Sequence, residues 1–135
     1  MKKGFTLIEL LVVIAIISII AAFMMPNFIG VQDRAKEAGV KAVMHSIQLA
    51  IEAYNMENEV YPMGNNITLR ELIDNYLTLG GYVTSIPKNP FTGREYTAGD
   101  KAGKIMYIYD DTNGSYKIIG YKRNGFSKLF ELSNT

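Results

Sequence analysis

The stretch GFTLIELLVVIAII, residues 4–17, carries one charged side chain, the carboxylate of Glu9 near its start, and apart from Thr6 its other residues are apolar. The uncharged run continues beyond this stretch, so residues 5–25 form a segment of 21 residues in which Glu9 is the only charge. At about 1.5 Å per residue, a helix of this length measures roughly 31 Å, which matches the hydrocarbon core of a bilayer. The run therefore predicts a helix that can span a membrane.

The charges on either side of this run predict its orientation. Lys2 and Lys3 precede it, so the positive-inside rule puts the N-terminus in the cytoplasm and the rest of the chain outside. A secretory signal peptide cleaved near Ala21 and Ala22 and a plain single-pass anchor are the alternatives. Neither explains Glu9, because a carboxylate costs about 2.5–3.5 kcal/mol at the bilayer centre and less near an edge. The charge of Glu9 is therefore predicted to need a binding partner.

The residues KKGFTLIEL, 2–10, resemble the class III leader and cleavage site of type IV pilins and pseudopilins. The resemblance implies that a prepilin peptidase in the membrane cuts between Gly4 and Phe5 and methylates the new amine of Phe5. Residues 1–4 would then be a leader, residues 5–29 a transmembrane and filament-core helix, and residues 30–135 an extracytoplasmic globular domain. The hydrophobic helix would remain in the mature protein, because the cut precedes it.

Cleavage would create a partner for Glu9. An α-amine has a pKa of about 7.7–8.0 and a glutamate about 4.3, so both groups are charged near neutral pH. If the amine of Phe5 on an incoming subunit meets Glu9 of a subunit already in place, the cost of burying both charges falls. The resemblance implies that Phe5 and Glu9 act as an assembly pair in a filament of packed helices.

Pro26 and Gly30 follow the apolar run. Proline removes a helix donor, and glycine weakens a helix by about 1 kcal/mol relative to alanine. A kink or a melted turn is expected there, and the resemblance implies a stretch that loses helicity in the filament. The alternative is that Pro26 ends a membrane helix at the interface.

The chain from residue 31 to residue 58 is amphipathic, with one apolar face expected to pack on a sheet. That face consists of Val43, Ile47, Ala50, Ile51 and Tyr54, and the opposite, solvated face of Lys41, Gln48, Glu52 and Asn55. The one histidine, His45, has no neighbouring metal-ligand pattern and is expected at the surface.

The remainder predicts a short helix and a small sheet. Residues 69–79 have helical spacing behind Thr68, which is the predicted N-cap. Residues 105–109 and 116–121 are rich in Ile and Tyr and flank an Asn-Gly turn, which predicts a hairpin, and residues 128–132 predict a further strand. The fold class is therefore α+β: a pilin fold whose long N-terminal helix packs on an antiparallel sheet of three or four strands.

Other function classes have little support. The chain has 14 bases, 13 acids and no cysteine, which argues against a nucleic-acid footprint and excludes disulfides. No motif for catalysis, a cofactor or a metal is present. Asp110, Asp111 and Asn113 favour turn chemistry over calcium binding, which normally takes six or more oxygen ligands.

A second pair of segments extends the resemblance. AIEAYNMENEVYP, residues 50–62, and IPKNPFTGREY, residues 86–96, are similar to segments of major pseudopilins of type II secretion and of cysteine-free pilins. Major pseudopilins typically carry an acidic calcium loop near the C-terminus, and residues 120–135 do not resemble one.

The prediction is therefore a structural subunit of a type IV pilus, and a secretion pseudopilin is the alternative. A monomeric membrane-anchored surface protein or an enzyme is a remote alternative. The subunit would wait as a single-pass precursor in the cytoplasmic membrane. An assembly platform and its ATPase would then place it in an extracellular or periplasmic homopolymer.

Overall fold

The computed structural model describes residues 2–135 and confirms the α+β class. Helix α1 spans Leu7–Asn58 and precedes a four-stranded antiparallel sheet whose strands lie in chain order. The chain divides into two compact units, the first ending at Arg34 and the second beginning at Ala35.

The first unit contains the apolar half of α1. No side chain between residues 2 and 32 is buried, although the helix is rich in Leu, Ile and Val. Helical structure continues through Pro26 and Gly30 in the single chain. The predicted loss of helix at these residues concerns the filament, and it stays a prediction.

The second unit packs one side of α1 into its core. Ile47, Ala50 and Ile51 of the predicted face are buried, whereas Val43 and Tyr54 pack at its edge and are half-buried. The prediction missed two buried residues of the helix, Val40 and Met44. They lie under strand β3 (Ser115–Tyr121), where a Cβ on Gly120 would be 2.6 Å from the Met44 sulfur. The absence of a side chain at Gly120 therefore lets the helix approach the sheet closely.

The prediction of a solvated face on α1 was wrong. All four of its residues are half-buried: Lys41, Gln48, Glu52 and Asn55. The clearest case is Glu52, whose carboxylate accepts hydrogen bonds from the hydroxyl groups of Tyr61, at 3.0 Å, and Tyr116, at 2.5 Å. The rings of these tyrosines lie 4.7 Å apart between centroids. Tyrosine can cover a helix edge with its ring and still offer its hydroxyl group to a carboxylate.

A short strand and a short helix follow α1. Strand β1 (Ile67–Thr68), which the sequence did not predict, pairs with strand β2 (Ile105–Asp110). Helix α2 (Leu69–Leu72) continues into a π-helical turn (Ile73–Leu77). Thr68 is the N-cap as predicted, and Glu71 completes a capping box that satisfies two backbone donors.

The rest of the sheet agrees closely with the predicted strands. Strand β4 (Lys128–Ser133) pairs with β3, and β3 pairs with β2. In the connecting hairpin Asp110 accepts hydrogen bonds from the Thr112 amide, at 3.0 Å, and from the Asn113 side chain, at 2.9 Å. The predicted turn chemistry is thus confirmed.

Buried polar groups organise the long loop between the π-helical turn and β2. Asn89 donates to the carbonyl of Ala102 at 2.8 Å and accepts from the amide of Phe91 at 2.9 Å. The Tyr96 hydroxyl group donates to the carbonyl of Gly103 at 2.8 Å. Because buried polar groups must be hydrogen-bonded, these contacts hold the loop against the core without regular secondary structure.

Candidate assembly site

The predicted cleavage site lies in an exposed, irregular segment before α1. Phe5 is 90% exposed, and a Cβ on Gly4 would meet no atom within 4 Å. A peptidase needs an extended segment that it can reach from outside, and this segment has no regular hydrogen bonding to break. Gly4 and Phe5 thus lie where cleavage requires them, and cleavage itself stays a prediction.

Glu9 forms a capping box with Thr6 at the start of α1. The Thr6 amide donates to Oε2 of Glu9 at 2.8 Å, and the Glu9 amide donates to the Thr6 hydroxyl oxygen at 3.3 Å. This arrangement satisfies two of the unpaired donors at the helix N-terminus. Thr6 was not among the residues predicted to act here, although a threonine three residues before a glutamate is the usual sequence pattern of this cap.

Among the described residues 2–135, no cation forms an ion pair with the capped carboxylate of Glu9. A carboxylate has about four acceptor positions, and the Thr6 amide occupies one of them. Helix N-termini favour negative charge, with a contribution of about 0.3–1 kcal/mol, so the cap holds the carboxylate in place at the first turn. Glu9 is exposed in the single chain, where an ammonium group can approach the free acceptor positions.

Beyond Glu9, the surface of the helix is apolar as far as residue 25, and its one polar side chain is hydrogen-bonded within the helix. Ser18 is the one polar side chain in residues 10–25, and its hydroxyl group donates to the carbonyl of Ile14 at 2.7 Å. Among the described residues 2–135, α1 is the one helix long and apolar enough to cross a membrane, with a mean hydropathy of 2.9 in its most apolar window. The segment is thus suited to a lipid or helix-packed environment and not to water.

Pro26 and Gly30 lie at the end of this surface. Proline has no amide hydrogen, so the carbonyl of Ala22 lacks its usual helical partner. A Cβ on Gly30 would meet no atom within 4 Å, and Phe28, between them, is 63% exposed. None of the described residues of the first unit covers this stretch, so its helical state depends on its surroundings.

The other polar candidates play structural roles. His45 is exposed, and its ring lies 5.8 Å from the ring of Phe130 between centroids. Within residues 2–135 there is no group of three or more His, Cys, Asp or Glu side chains placed to hold a metal ion. The backbone amide of Thr112 and the side chain of Asn113 hold the pKa of Asp110 below its usual value, so the hairpin carries a stable negative charge.

Comparisons with known proteins agree with this geometry. Residues 1–25 match the model of the prokaryotic N-terminal methylation motif. The chain is 33% identical to type II secretion system core protein G of Vibrio cholerae, over 74% of each chain. It is 31% identical to the Escherichia coli protein of that name, over 92% of this chain and 83% of the relative.

A pilus protein is also similar. The chain is 46% identical to the type IV wide pilus major component PilA4 of Thermus thermophilus, over 44% of this chain and 45% of that protein. No solved structure matches the chain significantly. The methylation motif and the membrane-compatible helix fit a membrane-anchored precursor. The chain belongs to the family of type IV pilins and type II secretion pseudopilins, whose members are structural proteins and not enzymes.

Proposed function

We propose that this protein is the repeating subunit of a helical pseudopilus of the type II secretion kind. The observation that carries the proposal is the apolar half of α1, which is exposed along its whole length and begins with a capped carboxylate. Such a surface requires cover on all sides. Lipid covers it in the precursor, and the helices of other copies cover it in the fibre.

The residues of the assembly site have successive roles in this proposal. A prepilin peptidase removes residues 1–4 and methylates the amine of Phe5, which the exposed segment around Gly4 permits. The amine of an incoming subunit then pairs with Glu9 of a subunit in the fibre. An assembly platform with its ATPase supplies the work of extraction from the cytoplasmic membrane, and the globular unit remains on the outer side.

The similarity to secretion proteins covers more of the chain than the similarity to pilins. The relatives named type II secretion system core protein G match over up to 92% of this chain, whereas the match to PilA4 covers 44% of it. The sequence alone favoured a pilus subunit over a secretion pseudopilin, and this difference in coverage is the reason that the pseudopilin is now placed first. A type IV pilus subunit remains the second candidate, because identity to PilA4 reaches 46% and residues 120–135 lack the acidic loop expected of a major pseudopilin.

Deletion of the gene in the native host, followed by complementation, distinguishes the two candidates. For a pseudopilin we expect secreted enzymes to accumulate in the periplasm of the deletion strain and to reappear in the medium after complementation. For a pilin we expect normal secretion and the loss of long fibres from the sheared fraction. Normal secretion together with normal fibres in the deletion strain would contradict both.

A further inference from the structure

The chain contains two Asn-Gly dipeptides, and each lies in a connection between neighbouring strands of the sheet. Asn113 and Gly114 end the turn between β2 and β3, whereas Asn124 and Gly125 lie in the connection between β3 and β4. Because the two sites consist of the same pair of residues, a difference in their chemistry must come from the structure around them.

An asparagine followed by glycine can cyclise without an enzyme. The backbone nitrogen of the glycine attacks the side-chain carbonyl carbon of the asparagine, a carbon–nitrogen bond forms, and the bond from that carbon to Nδ2 breaks. Ammonia leaves with the proton that the backbone amide gives up, and a five-membered succinimide ring remains. Water then opens the ring at either carbonyl, which yields aspartate or isoaspartate. Glycine favours the attack because it has no Cβ to hinder the approach.

The site at Asn124 is held closed by hydrogen bonds. Its side-chain oxygen accepts from the amides of Phe126, at 3.0 Å, and Ser127, at 2.9 Å, and its side-chain nitrogen donates to the Ser127 hydroxyl oxygen at 2.8 Å. Gly125 is buried, and its amide donates to the carbonyl of Lys122 at 3.0 Å. These contacts must open together before the nitrogen of Gly125 can attack, so the folded state suppresses the reaction here.

The site at Asn113 is open by comparison. Asn113 and Gly114 are exposed, and a Cβ on Gly114 would meet no atom within 4 Å. Among the described residues 2–135, none accepts a hydrogen bond from the Gly114 amide. Within the same residues the Asn113 side chain makes one hydrogen bond, to Oδ2 of the exposed Asp110 at 2.9 Å. The tip of this hairpin can therefore change its backbone angles without disturbing the core.

We propose that Asn113 is a site of spontaneous deamidation, at which it becomes aspartate or isoaspartate while Asn124 stays intact. The reaction consumes water and releases ammonia, and it needs no enzyme or cofactor. Because it proceeds slowly after synthesis, older copies of the chain carry the change more often than newer ones. The modification follows from the hairpin itself and does not depend on the filament function.

The product changes the charge of the hairpin. A carboxyl group with a pKa of about 3.9 replaces a neutral amide, so the tip then carries acids at residues 110, 111 and 113. The hydrogen bond from Asn113 to Asp110 is lost, and two like charges face each other in its place. The paired residues of β2 and β3 begin at Asp110 and Ser115, so we expect the loosening to remain at the tip.

Peptide mapping by mass spectrometry tests the proposal. The full chain in detergent is kept at mildly alkaline pH, which favours loss of the amide proton, and samples are digested briefly with a protease that cuts after lysine. The two sites then fall in separate peptides, residues 105–117 and residues 123–128, each with a single asparagine. We expect the first peptide to deamidate at least about tenfold faster than the second, because several hydrogen bonds must open at Asn124. Equal rates in the folded chain would overturn the proposal.

The denatured chain is the control for the dipeptide itself. In guanidinium chloride the two sites should react at similar rates, because the hydrogen bonds that protect Asn124 are lost. Asn113→Gln keeps the amide but lengthens the side chain, so it should abolish the change in residues 105–117 and leave residues 123–128 as in the wild type. A folded chain in which Asn113 persists as long as Asn124, while both react in the denatured chain, would show that the hairpin is not open to the reaction.

Discussion

At the scale of single residues, Glu9 has two tasks that can be separated. Its carboxylate caps α1 through Thr6, and its charge is available to an amine. The cap needs an acceptor oxygen, which an amide also provides, whereas pairing with an ammonium group needs the charge. This difference determines which substitution is informative.

We expect Glu9→Gln to abolish or severely reduce fibre assembly while leaving the protein inserted in the membrane. Glutamine preserves the cap and removes the charge, so an incoming Phe5 amine would be buried unpaired at a cost of several kcal/mol. Immunoblots of membrane and sheared fractions measure the two pools.

Glu9→Leu, which removes both the charge and the cap, should assemble no better than Glu9→Gln. Thr6→Val removes only the hydroxyl acceptor of the cap, at about 0.5–2 kcal/mol, and should retain more assembly than either. Normal fibres from Glu9→Gln would show that the cap is the whole role of this residue.

The predicted cleavage also belongs to this scale. We expect the mature chain to begin at Phe5 with a methylated amine, as measured by intact mass spectrometry of protein from the native host. Gly4→Leu should prevent the cut without disturbing the fold, because a Cβ at this position meets no atom within 4 Å. An N-terminus at Met1, or one after Ala22, in the wild type would contradict the prediction.

At the scale of elements, α1 is one helix in two environments. Its first half has no buried side chain, and its second half supplies five buried residues to the core. Core packing stabilises the second half directly, whereas the first half depends on backbone hydrogen bonds and on its surroundings. Local changes in helicity are therefore expected in the first half.

We expect residues 26–30 to lose regular helix in the fibre while the flanking segments keep it. The missing donor at Pro26 and the low helix propensity of Gly30 make this the weakest part of α1, and neighbouring helices can cover the freed backbone groups. A fibre density map resolves the question, and an unbroken helix through residues 23–33 would contradict it. Gly30→Ala should strengthen the helix by about 1 kcal/mol.

At the scale of the whole molecule, tyrosines link the elements of the second unit. The hydroxyl groups of Tyr96, Tyr107 and Tyr116 bind Gly103, Pro62 and Glu52, respectively, over separations of up to 64 residues. Burial raises the pKa of each of these hydroxyl groups well above its usual value. The neutral form of these side chains is therefore part of the folded state.

We expect the second unit to lose stability as the pH rises above about 10, the pKa of an unperturbed tyrosine. Unfolded tyrosines release protons there while the buried ones retain them, so the free energy of unfolding falls with pH. Circular dichroism of the full chain in detergent measures the loss. Tyr96→Phe should cost about 1 kcal/mol at neutral pH for the lost hydrogen bond and should make the alkaline loss shallower; an equal slope would contradict the assignment.

The local features of this protein were readable from its sequence. The spanning run, Glu9, the Thr68 cap, the Asn-Gly hairpin and three strands were predicted because each follows from neighbours within a few residues. Helical and strand periodicity, turn residues and cap patterns are short-range properties of the chain. The fold class followed from their order.

The tertiary structure decided which distant residues meet. Burial of Val40 and Met44 depends on the absence of a side chain at Gly120, and Glu52 is covered by Tyr61 and Tyr116. Strand β1 has two residues, too few to show a period, and forms by pairing with β2. A surface groove joins Met63 to residues of three later strands. Such contacts depend on chain segments brought together by core packing, which no local pattern encodes.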